Sequence, residues 1–184
     1  VLAIGAHPDD LELLCSGTLA RFLDLGVAVE LAVACRGDRG GSIGPDPDLA
    51  DRRRSEAEAA ARVLGVPIRF LEFGDSDLYD SPESRARFVG LLRESRPDLV
   101  ITHPPEDYHA DHVRVGELAG MACWFAASGG WVVGDLPPLE TPPSLVFMDT
   151  IAAVGFEPTQ YVDISATIDR KRRMFECHAS QAAR

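Results

Sequence analysis

The sequence predicts an α/β fold, a Rossmann-like three-layer sandwich with a mostly parallel sheet and helices on both faces. Two observations lead to it. Short apolar runs alternate four times with segments of helical periodicity, the pattern of a parallel sheet built from crossover units. The chain has 184 residues, 46% hydrophobic and 26% charged, enough for one packed domain with a real core.

The elements follow in order. Val1 to Ala6 is a short apolar run suited to a strand covered on both faces. From Leu11 to Leu25, Leu11, Leu14, Leu19, Phe22 and Leu23 recur at helical spacing, and Gly26 supplies a stop. Val27 to Cys35 reads as the second strand, and Arg36 to Asp51 as a Gly/Pro/Asp loop. Arg52 to Leu64 is an Ala- and Glu-rich helix ending at Gly65, and Pro67 to Phe73 the third strand. A polar loop from Gly74 to Ser81 leads to Pro82, well suited to start a helix that runs to about Arg96. Asp98 to Thr102 is the fourth strand and Val113 to Ala127 a helix. Beyond Ser128 the pattern weakens. The expected organisation is a single domain over 1–184, with a core at 1–128, a substrate-side loop at about 129–143, and a C-terminal part at 144–184. That last part carries edge strands at Ser144–Asp149 and Gln160–Ile164 and a helix over Ala166–His178.

Charge narrows the partners. Acidic residues number 29 against 18 basic ones, a net charge of −11, which repels nucleic acid and anionic membranes overall. No run approaches the roughly 20 apolar residues of a membrane span. Cys15, Cys35, Cys123 and Cys177 form no C-x-x-C pair, so buried free thiols are expected rather than a cysteine zinc site. With no leader visible ahead of Val1, the expected location is cytoplasmic.

The unusual residues fall in four segments, each just past a strand's carboxyl end: AHPDD, CRGDRGGS, GDSDLYD and HPPEDYHADH. In an open parallel sheet those ends share one edge, where ligands bind. His7, Asp9 and Asp10 in the first segment and His109, Asp111 and His112 in the last would therefore meet. Imidazoles and carboxylates suit a divalent ion such as zinc, and a catalytic site takes three protein ligands and leaves a place for water. The competing explanation of Asp9 and Asp10 is helix capping.

These residues carry a resemblance. AHPDD after the first strand and DYHADH after a later one, with RRRSEAEAAARVLGV between them and FEPTQYVDIS, Lys171 and HASQ at the end, resemble the PIG-L/LmbE-like family of zinc-dependent N-acetyl-sugar deacetylases. The resemblance runs from about Leu2 to Gln181. It implies His7, Asp10 and His112 as zinc ligands, Asp9 as general base and His109 as the group acting on the oxyanion or as an acid. It also implies Asp111 as a carboxylate steadying a ligand, and Arg53 as a substrate-side arginine, with Arg54 the alternative because the triple Arg blurs the register. Tyr108 is a further candidate donor to substrate. One departure stands out: the family often shows Thr-x-Gly-Glu after strand two, and this chain has Cys35-Arg36-Gly37-Asp38.

The implied function is removal of the acetyl group from a small N-acetylated amino sugar of the N-acetylglucosamine type. Asp9 would take a proton from water, and a protonated His109 would stabilise the oxyanion. Iron or another divalent ion suits the same donors. The sequence leaves two other readings open: an amidase on a larger amino-sugar conjugate, and a non-catalytic sugar-binding module. No Gly-x-Gly-x-x-Gly follows the first strand, which argues against dinucleotide binding.

Overall fold

A computed structural model describes residues 1–40, 44–153 and 155–181. Gly41 and Ser42, the end of the second rim segment, lie outside the described residues. Five strands form one all-parallel sheet: β1 (Leu2–Gly5), β2 (Glu30–Cys35), β3 (Ile68–Phe73), β4 (Leu99–Thr102) and β5 (Ser144–Phe147), in the spatial order β3-β2-β1-β4-β5. The order reverses between β1 and β4. A crevice opens at that point beyond the carboxyl ends of the strands.

The helices are α1 (Asp10–Leu14), α2 (Ser16–Asp24), α3 (Leu49–Leu64), α4 (Pro82–Ser95), α5 (Ala110–Ala126) and α6 (Ile168–Glu176). They divide between the two faces, and the alternation of strand side chains explains the division. Leu2 and Ile4 of β1 join Phe88, Leu92 and Leu118 of α4 and α5 in one apolar cluster. Ala3 of β1 turns the other way, to Leu11, Leu19, Ala60 and Met174 in a second cluster.

Several boundaries differ from those the sequence suggests, for local reasons. The first helix breaks at Cys15, whose φ of −134° is not helical. The Ser16 hydroxyl donates to the Glu12 carbonyl at 2.8 Å, and the Lys171 ammonium donates to the carbonyls of Glu12 and Leu13. Side chains thus satisfy carbonyls at the end of α1. α5 begins three residues earlier than expected because His109 acts as its N-cap: His109 Nδ1 accepts from the Asp111 backbone N–H at 3.2 Å. Gln160–Ile164 is not a strand. Tyr161 and Val162 are exposed, and the segment leads into Thr167, whose hydroxyl donates to the Gly17 carbonyl at 2.8 Å.

The loop at 129–143, expected on the substrate side, packs on α4 and α5. Trp131 stacks on Phe125 at a centroid separation of 4.4 Å, and the Arg93 guanidinium donates to the carbonyls of Ala126, Leu136 and Ser128. These contacts lie at the C-terminal end of α5, about 20 Å along the helix from His112 at 1.5 Å per residue.

One close approach fixes α5 over the crevice. A Cβ on Gly116 would stand 2.6 Å from the His103 carbonyl oxygen and 2.9 Å from that of Pro104, both backbone atoms. Gly116→Ala is therefore expected to cost about 1–3 kcal/mol as overpacking and to push His112 away from β1. The check is a lowered Tm together with weakened metal retention; an unchanged Tm would refute the close-contact account.

Candidate metal and acid–base centre

The two histidine segments meet at the β1/β4 switch. His7 follows β1, Asp10 opens α1, and His109, Asp111 and His112 stand at the cap and first turn of α5. Asp10 is 2% exposed. Its Oδ2 accepts from the His7 backbone N–H at 2.7 Å and lies 3.2 Å from His103 Nε2 and 3.7 Å from His7 Nδ1. Its Oδ1 lies 3.4 Å from His112 Nε2.

The outer nitrogens of the two candidate ligand histidines are held by carboxylates. His7 Nε2 is 3.0 Å from Asp111 Oδ2, and His112 Nδ1 is 3.1 Å from Asp107 Oδ2. Asp111 also accepts from the Ser76 backbone N–H, and Asp107 from that of His109. Carboxylates that grip one imidazole nitrogen orient the other toward a metal. That leaves His7 Nδ1 and His112 Nε2 beside the two oxygens of Asp10, at 3.7 and 3.4 Å, donor types that suit zinc. Sequence reasoning misses Asp107; its place two residues before His109 and five before His112 is the one signal that points to it.

Other groupings overlap with this one. Ligand atoms of His7, His109 and His112 lie within 4.8 Å of one another, as do those of Asp10, His103 and His112. Hydrogen bonding separates their roles. His103 Nε2 accepts from the Ala6 backbone N–H at 3.0 Å, which commits that nitrogen to the strand end. His109 Nδ1 accepts from Asp111 N, so a neutral ring carries its proton on Nε2 and presents a donor to the cleft.

Electrostatics agree with a cation-seeking cluster. Burial alone would lower the His7 pKa, yet Asp10 and Asp111 carry it up to about 10. Burial likewise opposes a charged His112, but Asp10 and Asp107 raise it. Burial would raise Asp10, and the surrounding imidazoles His103, His112 and His7 hold it well below the usual carboxylate range instead. Protons supply the positive charge that a divalent ion would otherwise bring. His109 differs: burial first, then the charges of His7 and His112, lower its pKa. In the metal-free cleft this shift and the bond accepted by Nδ1 both favour a neutral ring with its N–H on Nε2, where the sequence leads one to expect an imidazolium.

Asp9 stands apart from Asp10. It occupies the N-cap position of α1 but its side chain makes no capping hydrogen bond. The capping explanation therefore fails for it. Its φ is 122°, a conformation that costs a non-glycine residue roughly 1–3 kcal/mol and that clusters at functional sites. Arg53 braces it: one guanidinium nitrogen donates to the Pro8 carbonyl at 2.5 Å and lies 3.1 Å from Asp9 Oδ1. Burial and the neighbouring Asp10 push the Asp9 pKa up to about 6, against the opposing charges of Arg53 and His178.

The two candidate arginines point in different directions. Arg53 is 3% exposed and lines the cleft, whereas Arg54 faces away, paired with Glu58 and Glu72 over the Phe70 ring. Arg53 does not pair with Glu56, which accepts instead from the Ser180 backbone and hydroxyl. Tyr108 is 60% exposed and sits on the cleft rim. The cleft has a volume of about 260 Å³ and is also lined by Arg39 and Asp75, from the second and third rim segments, and by Ile151 and Gln181.

The family model for GlcNAc-PI de-N-acetylases, PIG-L, matches residues 2–123. The chain belongs to the PIG-L family. This PIG-L chain is 34% identical to a diacetylchitobiose deacetylase of Thermococcus kodakarensis over 98% of its own length and 69% of the relative's. It superposes with a TM-score of 0.87 on an N,N′-diacetylchitobiose deacetylase from Pyrococcus horikoshii, at 30% identity, covering 98% of this chain and 69% of that one. A third relative has a different reaction: a 4-oxalmesaconate hydratase of Pseudomonas putida, 27% identical over 98% of this chain and 73% of the relative. Among the described residues of this PIG-L chain, no helix is long and apolar enough to cross a membrane.

The geometry makes two measurable demands. His112→Ala is expected to abolish stoichiometric metal, and Asp107→Asn to weaken metal affinity by about 10–100-fold. Both are read by metal analysis and competitive chelation; full retention in His112→Ala would remove it from the ligand set. Because His7 holds a proton up to about 10 in the metal-free protein, metal uptake at neutral pH must release protons. Apparent affinity should then rise with pH, and calorimetry in buffers of differing ionisation enthalpy should register the released protons.

Proposed function

We propose that this protein is a metal-dependent N-deacetylase acting on the acetamide of a small amino sugar of the N-acetylglucosamine type. The observation that carries the reading is Asp9, a strained, uncapped, braced carboxylate beside the His7–Asp10–His112 donor set. A zinc ion, or another divalent ion suited to N/O donors, would be held by those three residues and would polarise the amide carbonyl and acidify water to a pKa of about 7.

The chain's own groups supply the rest. Asp9, with its pKa pushed up to about 6, accepts a proton from the attacking water near neutral pH. His109 Nε2–H donates to the carbonyl oxygen as negative charge develops there. The proton held by Asp9 then passes to the departing amine, so the carboxyl ends the cycle ionised. Arg53 keeps Asp9 in its unfavourable backbone conformation, and Tyr108 offers a hydroxyl at the rim to the sugar.

The hydratase relative makes the identity of the bond a real question. Its substrate's name denotes a carboxylate anion, and such a substrate calls for free cations in the cleft. Arg53 is engaged by Pro8 and Asp9, and Arg39 by Asp75 and Asp77. Among the described residues lining the cleft, both guanidiniums are therefore committed, while Asp9, Asp10, Asp75 and Asp111 contribute negative charge. A neutral, hydroxyl-rich substrate suits this balance better.

The decisive experiment incubates the metal-loaded protein with N-acetylglucosamine derivatives and measures both acetate and the new primary amine. Equal release of the two supports deacetylation. Amine release without acetate from a larger conjugate would favour the amidase reading. Loss of a conjugated double bond from an unsaturated acid, with no amine formed, would replace it with hydration. Asp9→Asn should keep its metal and lose most turnover; near-normal turnover would remove Asp9 as the base. His109→Ala should keep its metal and lose on the order of 10²–10³ in kcat, and an unchanged kcat would rule out its oxyanion role.

A further inference from the structure

The flank of the crevice away from β4 holds a second cluster. His7 follows β1, Cys35 ends β2 and Asp75 follows β3, so three adjacent strand ends bring a nitrogen, a sulfur and an oxygen together. The sheet sets this up: the Cys35 backbone N–H donates to the Ala6 carbonyl at 2.7 Å, and Cys35 pairs in register with Phe73. All three residues are buried, and their ligand atoms lie within 4.8 Å of one another. His7 Nε2 is 4.0 Å from Asp75 Oδ1 and 3.0 Å from Asp111 Oδ2.

We propose that this cluster is a second cation site, in which Cys35 Sγ, His7 Nε2 and Asp75 take a soft divalent ion such as zinc or cadmium, with Asp111 placed as a fourth donor. Bonds of about 2.0–2.1 Å to N and O and 2.3 Å to S put tetrahedral ligand atoms roughly 3.4–3.7 Å apart. From separations within 4.8 Å, the atoms here need to close by at most about 1.1–1.4 Å. A sulfur–nitrogen–carboxylate set selects zinc or cadmium over magnesium or calcium.

The chemistry of the thiol is consistent with this. Burial, and then the charges of Asp111, Asp75 and Asp10, push the Cys35 thiol far up, so without an ion it stays protonated and inert. The carboxylates that keep the proton on sulfur are the same groups that attract a cation. On uptake the S–H bond breaks, an S–metal bond forms, and the proton leaves to solvent; the proton on His7 Nε2 leaves likewise. Asp75 and His7 reach this point from the main cleft, and Cys35 also lines a neighbouring cavity of about 290 Å³ beside Pro8.

Occupancy has a consequence for the proposed reaction, and this part rests on that reading. The ion would come between Asp111 and the outer nitrogen of His7 and replace their direct contact, which orients Nδ1 toward the first site. Excess soft metal should therefore inhibit through Cys35.

The test reads ligation rather than turnover. Metal-free protein carrying Cys177→Ala, which removes the one partly exposed thiol, is titrated with cadmium. The expected result is an ultraviolet thiolate-to-cadmium charge-transfer band with the amplitude of one thiolate, lost when Cys35→Ala is added. Absence of the band, or its survival in the Cys35→Ala protein, overturns the proposal. Cadmium-113 resonances of the unsubstituted protein give a variant-free check: a thiolate-shifted signal is expected, and nitrogen/oxygen-type signals alone would overturn it. Failure here leaves acetate release untouched, and failure of acetate release leaves the cadmium signature untouched, so the two readings fall separately.

Discussion

The cleft depends on one buried carboxylate. Asp10 lies out of water, accepts a hydrogen bond from the His7 backbone and is approached by three imidazoles from two distant parts of the chain. A buried ionised carboxylate with no positive partner costs several kcal/mol even after relaxation. The fold meets that cost by placing β1 and β4 side by side, so that the segments after the two strands can face the same oxygen pair. Gly116 lets α5 descend onto the His103–Pro104 backbone, and the descent carries His112 to Asp10. Sheet order, one glycine contact and one carboxylate thus form a single constraint.

Adjacent acids in this arrangement have opposite fates. Asp10 is held ionised by the imidazoles around it, whereas burial and Asp10's own charge push Asp9 up to about 6. Environments that drive two neighbouring titratable groups apart are how acid–base roles are divided within a site. Here the division is made by backbone geometry. The φ of 122° at Asp9 turns its carboxylate away from the capping position and toward Arg53, while Asp10 enters the helix and faces inward.

Much of this is legible in the sequence because it follows from periodicity and spacing. The alternating strands and helices point to the parallel sheet, and the four rim segments converge as strand ends in such a sheet must. His7, Asp10, His109, Asp111 and His112 fall together in the structure. The features that the sequence does not disclose depend on contacts with no periodic signature. The break at Cys15 comes from Ser16 and from Lys171, which is distant in the chain. Asp107's grip on His112 depends on how the turn before α5 folds. Which nitrogen of His109 carries a proton depends on which one accepts a backbone N–H. Cys35 has no partner at cysteine-motif spacing, so its proximity to His7 and Asp75 arises only from strand register.

The matched family region, residues 2–123, contains every residue placed here as a metal donor, base or oxyanion donor. Relatives with different reactions share that region, so its donor set alone does not choose the substrate. The hydratase relative aligns over 98% of this chain, so the shared length does not make the choice, and individual residues on the rim must. Two described residues beyond the matched region reach the cleft: Ile151, from the loop after β5, and Gln181, from the turn after α6. That turn is fastened to the core, since Ser180 bonds to Glu56 of α3 and Gln181's backbone donates to the carbonyl of the buried His178. An apolar side chain and an amide thus join Tyr108 in lining the cleft.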